Sequence, residues 1–153
     1  MKTGSLLAAL FAAAALSQSH AQAQQCTAAT KETEPFVAEA HRFLEIMDTG
    51  NEDRAVERLD PGYKILGDVA RLQLRRNLAL RAERGKLTNR RQCIIPRRAE
   101  GQPLYTVTLI FDEDAERPAM FNGQTMTTSR TIVGIWRHPE DGRLWVRRFD
   151  VSY

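Results

Sequence analysis

The feature that most constrains this chain is its C-terminal end, Thr127 to Tyr153, which reads TTSRTIVGIWRHPEDGRLWVRRFDVSY. Thr131, Val133 and Ile135 alternate with Ile132, Gly134 and Trp136, the period-two pattern of a strand rich in β-branched residues. Pro139, Asp141 and Gly142 are turn formers. After them Leu144 and Val146 share a face, but Phe149 and Val151 fall out of phase by one residue. A bulge at Arg147 and Arg148 would return them to that face, because a bulge adds one residue and bends the strand. The alternative register has no bulge and puts Trp145, Phe149, Val151 and Tyr153 on one face. A lone hairpin is marginally stable in water. The rest of the chain must therefore add strands or cover one face of these two.

Upstream, Thr33 is a suitable helix cap and Pro35 fits a first helical turn. Phe36, Ala40, Phe43, Leu44 and Met47 follow at helical spacing, an apolar stripe ended by Asp48, Thr49 and Gly50. A short helix fits Asn51 to Leu59, stopped by Asp60, Pro61 and Gly62, with Tyr63 to Leu66 as a link. A third helix runs from Asp68 to about Arg84, with Ala70, Leu74, Leu78 and Ala82 as its apolar ridge. Arg91, Cys93 and Ile95 then alternate as a first strand that Pro96 stops. Leu104 to Phe111 is the clearest strand, with Tyr105, Val107, Leu109 and Phe111 on one face. Asp112 to Pro118 reads as an acidic loop, and Asn122-Gly123 as the turn of a small hairpin, Ala119 to Phe121 with Gln124 to Met126. Helices followed by strands predict an α+β domain, an antiparallel sheet covered on one face. A sheet bent by a bulge and backed by a long helix would enclose a cone-like cavity.

Residues 1–23 stand apart from this domain. Lys2, then Leu6, Leu7, Leu10, Phe11 and Leu16 among alanines, then Ala21-Gln22-Ala23, have the form of a secretory signal peptide cleaved after Ala23. Residues 24–33 read as a flexible N-terminus and 34–153 as the single domain. The expected location is the periplasm or the exterior. No other apolar run is long enough to span a bilayer. Two cysteines, Cys26 and Cys93, remain in an oxidising compartment, where an even count favours one disulfide over two free thiols.

Together, Phe43-Leu44, Asp48-x-Gly50, Arg81-x-x-x-Gly85-x-x-x-x-Arg90, and the turn into Leu144-Trp145-Val146 followed by Phe149 and Val151 carry a resemblance. The chain from about Pro35 onward resembles an exported bacterial family catalogued as a domain of unknown function. That family is grouped with the nuclear-transport-factor-2-like and ketosteroid-isomerase-like superfamily. The resemblance implies a cone-like α+β fold, and it implies structural ion pairs for Arg81 and Arg90, with Asp48 or Glu45 as partners. It brings no catalytic residues. The superfamily holds isomerases, hydrolases, dehydratases and binding modules, so fold alone decides nothing.

The chemistry-bearing residues are few. The expected inward positions Val107, Leu109, Val133, Ile135, Leu144, Val146, Phe149 and Val151 are all apolar, with no base among them, and Asp112 and Asp150 belong to the opposite face or a strand end. The histidines are His20, within the signal segment, His41 off the apolar stripe, and His138 in a turn. Neither these nor the cysteines have metal-ligand spacing, and no nucleotide or dinucleotide fingerprint occurs. No cofactor and no metal are expected. The first functional reading is a non-enzymatic module that binds a small apolar ligand or a protein partner, with Tyr63, Tyr105 and Trp136 at the cavity rim. The second is an isomerase- or lyase-like enzyme using Asp48 or Tyr63. The net charge is +3, and Arg71, Arg75 and Arg76 on the third helix offer either an anionic envelope surface or an ordinary solvated face. Export and the lack of interleaved aromatics argue against nucleic acid as a partner.

Overall fold

The computed structural model describes residues 25–64 and 67–153, with backbone alone for 63 and 64. The signal segment 1–23 and the side chain of Tyr63 lie outside the described residues. Four helices precede four strands: α1 (Glu34–Asp48), α2 (Glu52–Glu57), α3 (Pro61–Lys64), α4 (Asp68–Glu83), β1 (Leu87–Arg97), β2 (Thr106–Phe121), β3 (Gln124–Arg137) and β4 (Leu144–Ser152). The strands form one antiparallel sheet in the order β1-β2-β3-β4, an α+β architecture.

α1 is helical because its apolar residues recur on one face and Pro35 occupies its first turn. Thr33 does not cap it through its side chain. Its Oγ1 instead accepts from the Thr30 backbone N–H at 2.8 Å. Phe36, Ala40, Phe43 and Leu44 are all fully buried. They pack against Val107, Leu109 and Phe111 of β2, Val133 and Ile135 of β3, and Val146 and Phe149 of β4. Phe43 meets Phe149 edge to face, with ring centroids 5.2 Å apart. Each large apolar side chain buried there contributes about 1.5–3 kcal/mol.

The bulge of β4 falls at Arg147. Gly134 pairs with Arg148 and Ile135 with Val146, so Arg147 is the extra residue, and Val146 and Phe149 face the helices together. Gly134 fits the bulge for a steric reason, since a Cβ there would sit 2.9 Å from the Arg148 Cβ. At the other end of β3, Asn122 and Gly123 have φ of 48° and 76°. Both are positive, as a tight two-residue hairpin requires.

Two elements differ from expectation. The acids after Phe111 are not a loop, because β2 continues through them to Phe121, with a register shift between Asp114 and Ala119. β1 begins at Leu87 and runs through Pro96 to Arg97. Pro96 is tolerated because β1 is an edge strand, where a missing N–H need not break a ladder.

α4 keeps the hydrophobic ridge expected for it at Ala70 and Leu74 and departs from it further on. Its buried residues are Ala70, Leu74, Asn77 and Arg81, with Arg84 buried just beyond, while Ala82 is exposed. These polar groups bind the sheet. Asn77 Nδ2 donates to the Phe149 carbonyl at 2.8 Å. Arg84 Nη2 donates to the Met126 and Thr128 carbonyls, each at 2.8 Å, and its guanidinium lies over the Tyr153 ring.

Both sheet edges are engaged. Thr27 bonds the Ile94 carbonyl of β1 through N and Oγ1, beside the disulfide joining Cys26 to Cys93. On β4, Val146 N donates to the Arg58 carbonyl and Asp60 N donates to the Val146 carbonyl, both at 2.9 Å. Such cover removes the unpaired backbone groups that make an edge associate with other strands. Among the described residues, no helix is long and apolar enough to cross a membrane.

Candidate functional site

Two hollows have chemistry worth weighing. The first lies between the end of α1, the end of α4 and the start of β1. It has a volume of about 600 Å³, and Asp48, Thr49, Leu78, Arg81 and Lys86 are among the residues around it. Beneath it is a charge network. Arg81 donates to Glu113 at 2.9 Å, to Asp48 at 2.7 Å and to the Thr131 hydroxyl at 2.7 Å. Arg90 donates to the second Glu113 oxygen at 2.8 Å and to Asp48 at 3.3 Å. Glu113 is 1% exposed, Arg81 5% and Asp48 48%. Of the two partners that the resemblance implied for Arg81 and Arg90, Asp48 is the one they bind, and among the described residues Glu45 takes no part in the network.

Glu113 overturns the expectation that the inward face of the strands is wholly apolar. It follows Val107, Leu109 and Phe111 at period two, and it faces the helices with Ser129 and Thr131, which are also fully buried. Continuing that alternation past Phe111 would have found it. As a catalytic group the network is poorly arranged. Both oxygens of Asp48 and both of Glu113 accept from guanidinium groups. A general base needs a lone pair directed at substrate, and these carboxylates point at arginine. Two cations and two anions in this arrangement hold α1, α4, β1 and β2 together.

The second hollow, about 530 Å³, lies where the chain enters β2 and leaves β3. Tyr105 and Trp136 line it with Pro103, Leu104, Arg137 and Pro139. The backbone explains the meeting: Arg137 N donates to the Tyr105 carbonyl at 2.8 Å, and Thr106 pairs with Trp136 across the β2–β3 ladder. Tyr105 is exposed and Trp136 half-buried. Trp136 is next to the fully buried Ile135 and so lies on the sheet face away from the helices. The apolar side chains on the helix side pack into the core, and Tyr105 and Trp136 line the hollow at the end of the sheet. Tyr63 cannot be placed with them, since its side chain lies outside the described residues.

The basic face of α4 is largely neutralised. Arg71 bonds Glu52 and Asp53, each at 3.1 Å, and Arg75 bonds Glu52 at 2.7 Å. The hydrogen bond from Arg75, with help from Arg71, holds the Glu52 carboxyl below its usual range, and these carboxylates hold both arginines above theirs. Arg76 has no such ion pair among the described residues. A similar ladder crosses the outer sheet face, Arg130 with Asp112 and Arg91 with Asp114. His41 is half-buried at the edge of the stripe, its Nε2 within 2.9 Å of the Gln92 side-chain oxygen. Among the described residues no His, Cys, Asp or Glu cluster could hold a metal ion.

Compared with protein-family models, curated proteins and solved structures, the chain matches none.

Proposed function

We propose that this chain is an exported binding module of the nuclear-transport-factor-2-like kind that takes a small apolar ligand in the Tyr105–Trp136 hollow. The observation that carries the reading is the meeting of these two aromatic side chains with Pro103, Leu104 and Pro139 around one space of about 530 Å³. Ligand sites are commonly concave, mostly apolar and of about 300–1,000 Å³, with a few polar groups that orient the ligand. Aromatic rings supply large contact area on rigid side chains. Export is supported by the disulfide between Cys26 and Cys93, which an oxidising compartment favours, and by the signal-like segment 1–23. The enzyme reading is weaker, because the Asp48 oxygens are engaged by Arg81 and Arg90.

The test is binding of phenylnaphthylamine, an uncharged aromatic probe that brightens in apolar surroundings. Saturable binding to the exported protein is expected, weakened about tenfold or more by Tyr105→Ala, a loss of about 1.4 kcal/mol. Leu72→Ala, on the exposed face of α4, is the control. Equal binding by all three proteins would defeat the assignment of the hollow. Mass measurement of the exported chain checks the cleavage after Ala23.

A further inference from the structure

Among the described residues, ten arginines are held by carboxylates. Arg42, Arg58, Arg71, Arg75, Arg81, Arg90, Arg91, Arg98, Arg130 and Arg148 each have a carboxylate in ion-pair contact. Around the Tyr105–Trp136 hollow the pattern is different. Arg137 lines the hollow and lies over the ring of Phe36, with 5.0 Å from its guanidinium carbon to the ring centroid. Its Nε is buried and, among the described residues, has no hydrogen-bond partner. Arg147 lies 4.4 Å over Trp136, itself a wall of the hollow, and Arg143 lies 4.4 Å over Trp145, which pairs with Trp136 across β3 and β4. Among the described residues none of these three side chains is in an ion pair. Among the described residues, the carboxylate in ion-pair contact with a residue of the hollow is that of Asp141, whose Oδ1 is 3.4 Å from His138 Nδ1 and accepts from Arg143 N.

Stacking on an aromatic ring satisfies the flat face of a guanidinium and leaves its edge, where the N–H donors are, without acceptors. A carboxylate, sulfonate or phosphate is the acceptor that matches the unpaired terminal nitrogens of a guanidinium edge. We infer that the ligand of this hollow is an amphipathic organic anion, its flat apolar part against Tyr105 and Trp136 and its anionic group on Arg137. Arg143 and Arg147 add positive potential at the same end. The inference rests on the binding reading given above and adds the ligand's charge.

Two probes separate the inference from its foundation. Anilinonaphthalene sulfonate and phenylnaphthylamine share a ring system, and only the first carries an anion. At low salt the sulfonate should bind the wild-type protein about tenfold tighter or more, the gain expected of one charge-assisted hydrogen bond. Arg137→Gln should remove that advantage and leave phenylnaphthylamine binding unchanged, which also shows that the hollow is intact. Arg137→Lys should retain part of the advantage. Equal affinity for the two probes, or an advantage that survives Arg137→Gln, overturns the anion inference while Tyr105→Ala still weakens phenylnaphthylamine. If Tyr105→Ala affects neither probe, the hollow is not the site and both readings fall.

Discussion

Replacing Glu113 by Gln removes one charge and almost no volume, so it isolates the electrostatic role of the buried network. Glu113 accepts one guanidinium donor on each oxygen, from Arg81 at 2.9 Å and from Arg90 at 2.8 Å. A Gln side chain can accept one of these and presents its own N–H₂ donors to the other. The direct loss is one charge-assisted hydrogen bond, about 1.5–3 kcal/mol. Arg81, only 5% exposed, is also left with the half-exposed Asp48 as its remaining anion. Breaking a buried pair costs about 3–5 kcal/mol, and the surviving contact to Asp48 places Glu113→Gln near the lower end, about 3 kcal/mol. A domain of this size should lose about 10 °C in melting temperature. Asp48→Asn, at a half-exposed position, should cost less, about 1 kcal/mol. Urea denaturation followed by tryptophan fluorescence measures all three proteins. The double replacement Glu113→Leu with Arg81→Met should recover most of the loss, since a buried pair can be exchanged for apolar groups at little net cost. A Glu113→Gln cost under about 1 kcal/mol, or no recovery in the double variant, would refute the reasoning.

Three further outcomes follow from other parts of the molecule. Reducing the Cys26–Cys93 disulfide, whose linked positions are 67 apart in sequence, should lower stability by about 4 kcal/mol in the chain-entropy picture, and thiol labelling should find neither cysteine before reduction. Glu39 follows Phe36 on α1 by one helical turn but is 5% exposed and bonds Arg42 and Arg58; Glu39→Ala should therefore cost about 1–2 kcal/mol in urea denaturation, more than an ordinary surface exchange. The hydrogen bond from Arg130 holds the Asp112 carboxyl below its usual value, and Arg91 does the same for Asp114. A depressed folded value means that this stabilisation is complete above about pH 4 and is lost as pH falls through the folded values. The urea midpoint should therefore drop below about pH 4, and Asp112→Asn should flatten that drop.

The apolar half of this structure was legible because its signals are local. Phe36, Ala40, Phe43 and Leu44 fix the face of α1 by period alone. The phase break between Val146 and Phe149 has few solutions on a one-sided sheet, and a bulge at Arg147 is the one adopted. Asn122-Gly123 encodes its own backbone. The polar half was less legible because burial there depends on partners far away in the chain. Glu113 looked like part of an acidic loop, since nothing near it in sequence shows that Arg81 and Arg90 are waiting across the fold. The inner stripe of α4 was legible at Ala70, Leu74 and Leu78 but not beyond for the same reason: Asn77, Arg81 and Arg84 are unfavourable inside until their acceptors on β2, β3 and β4 are counted.

That dependence on partners also separates scaffold from candidate site. Tyr105 and Trp136 could be singled out as large aromatics near strand ends, but that Arg137, Arg143 and Arg147 gather beside them follows only from the β3–β4 turn and the Arg147 bulge. At Arg81 and Arg90 the fold supplies carboxylates for each guanidinium, so the contacts are spent within the protein. At Arg137, Arg143 and Arg147 it supplies ring faces and leaves donor edges available. A cation whose counter-charge is built in stabilises the folded chain, whereas one stacked on an aromatic wall beside an open hollow can still accept an anion from outside. The second arrangement is why the Tyr105–Trp136 end, rather than the more heavily charged Glu113 network, is the place to look for a ligand.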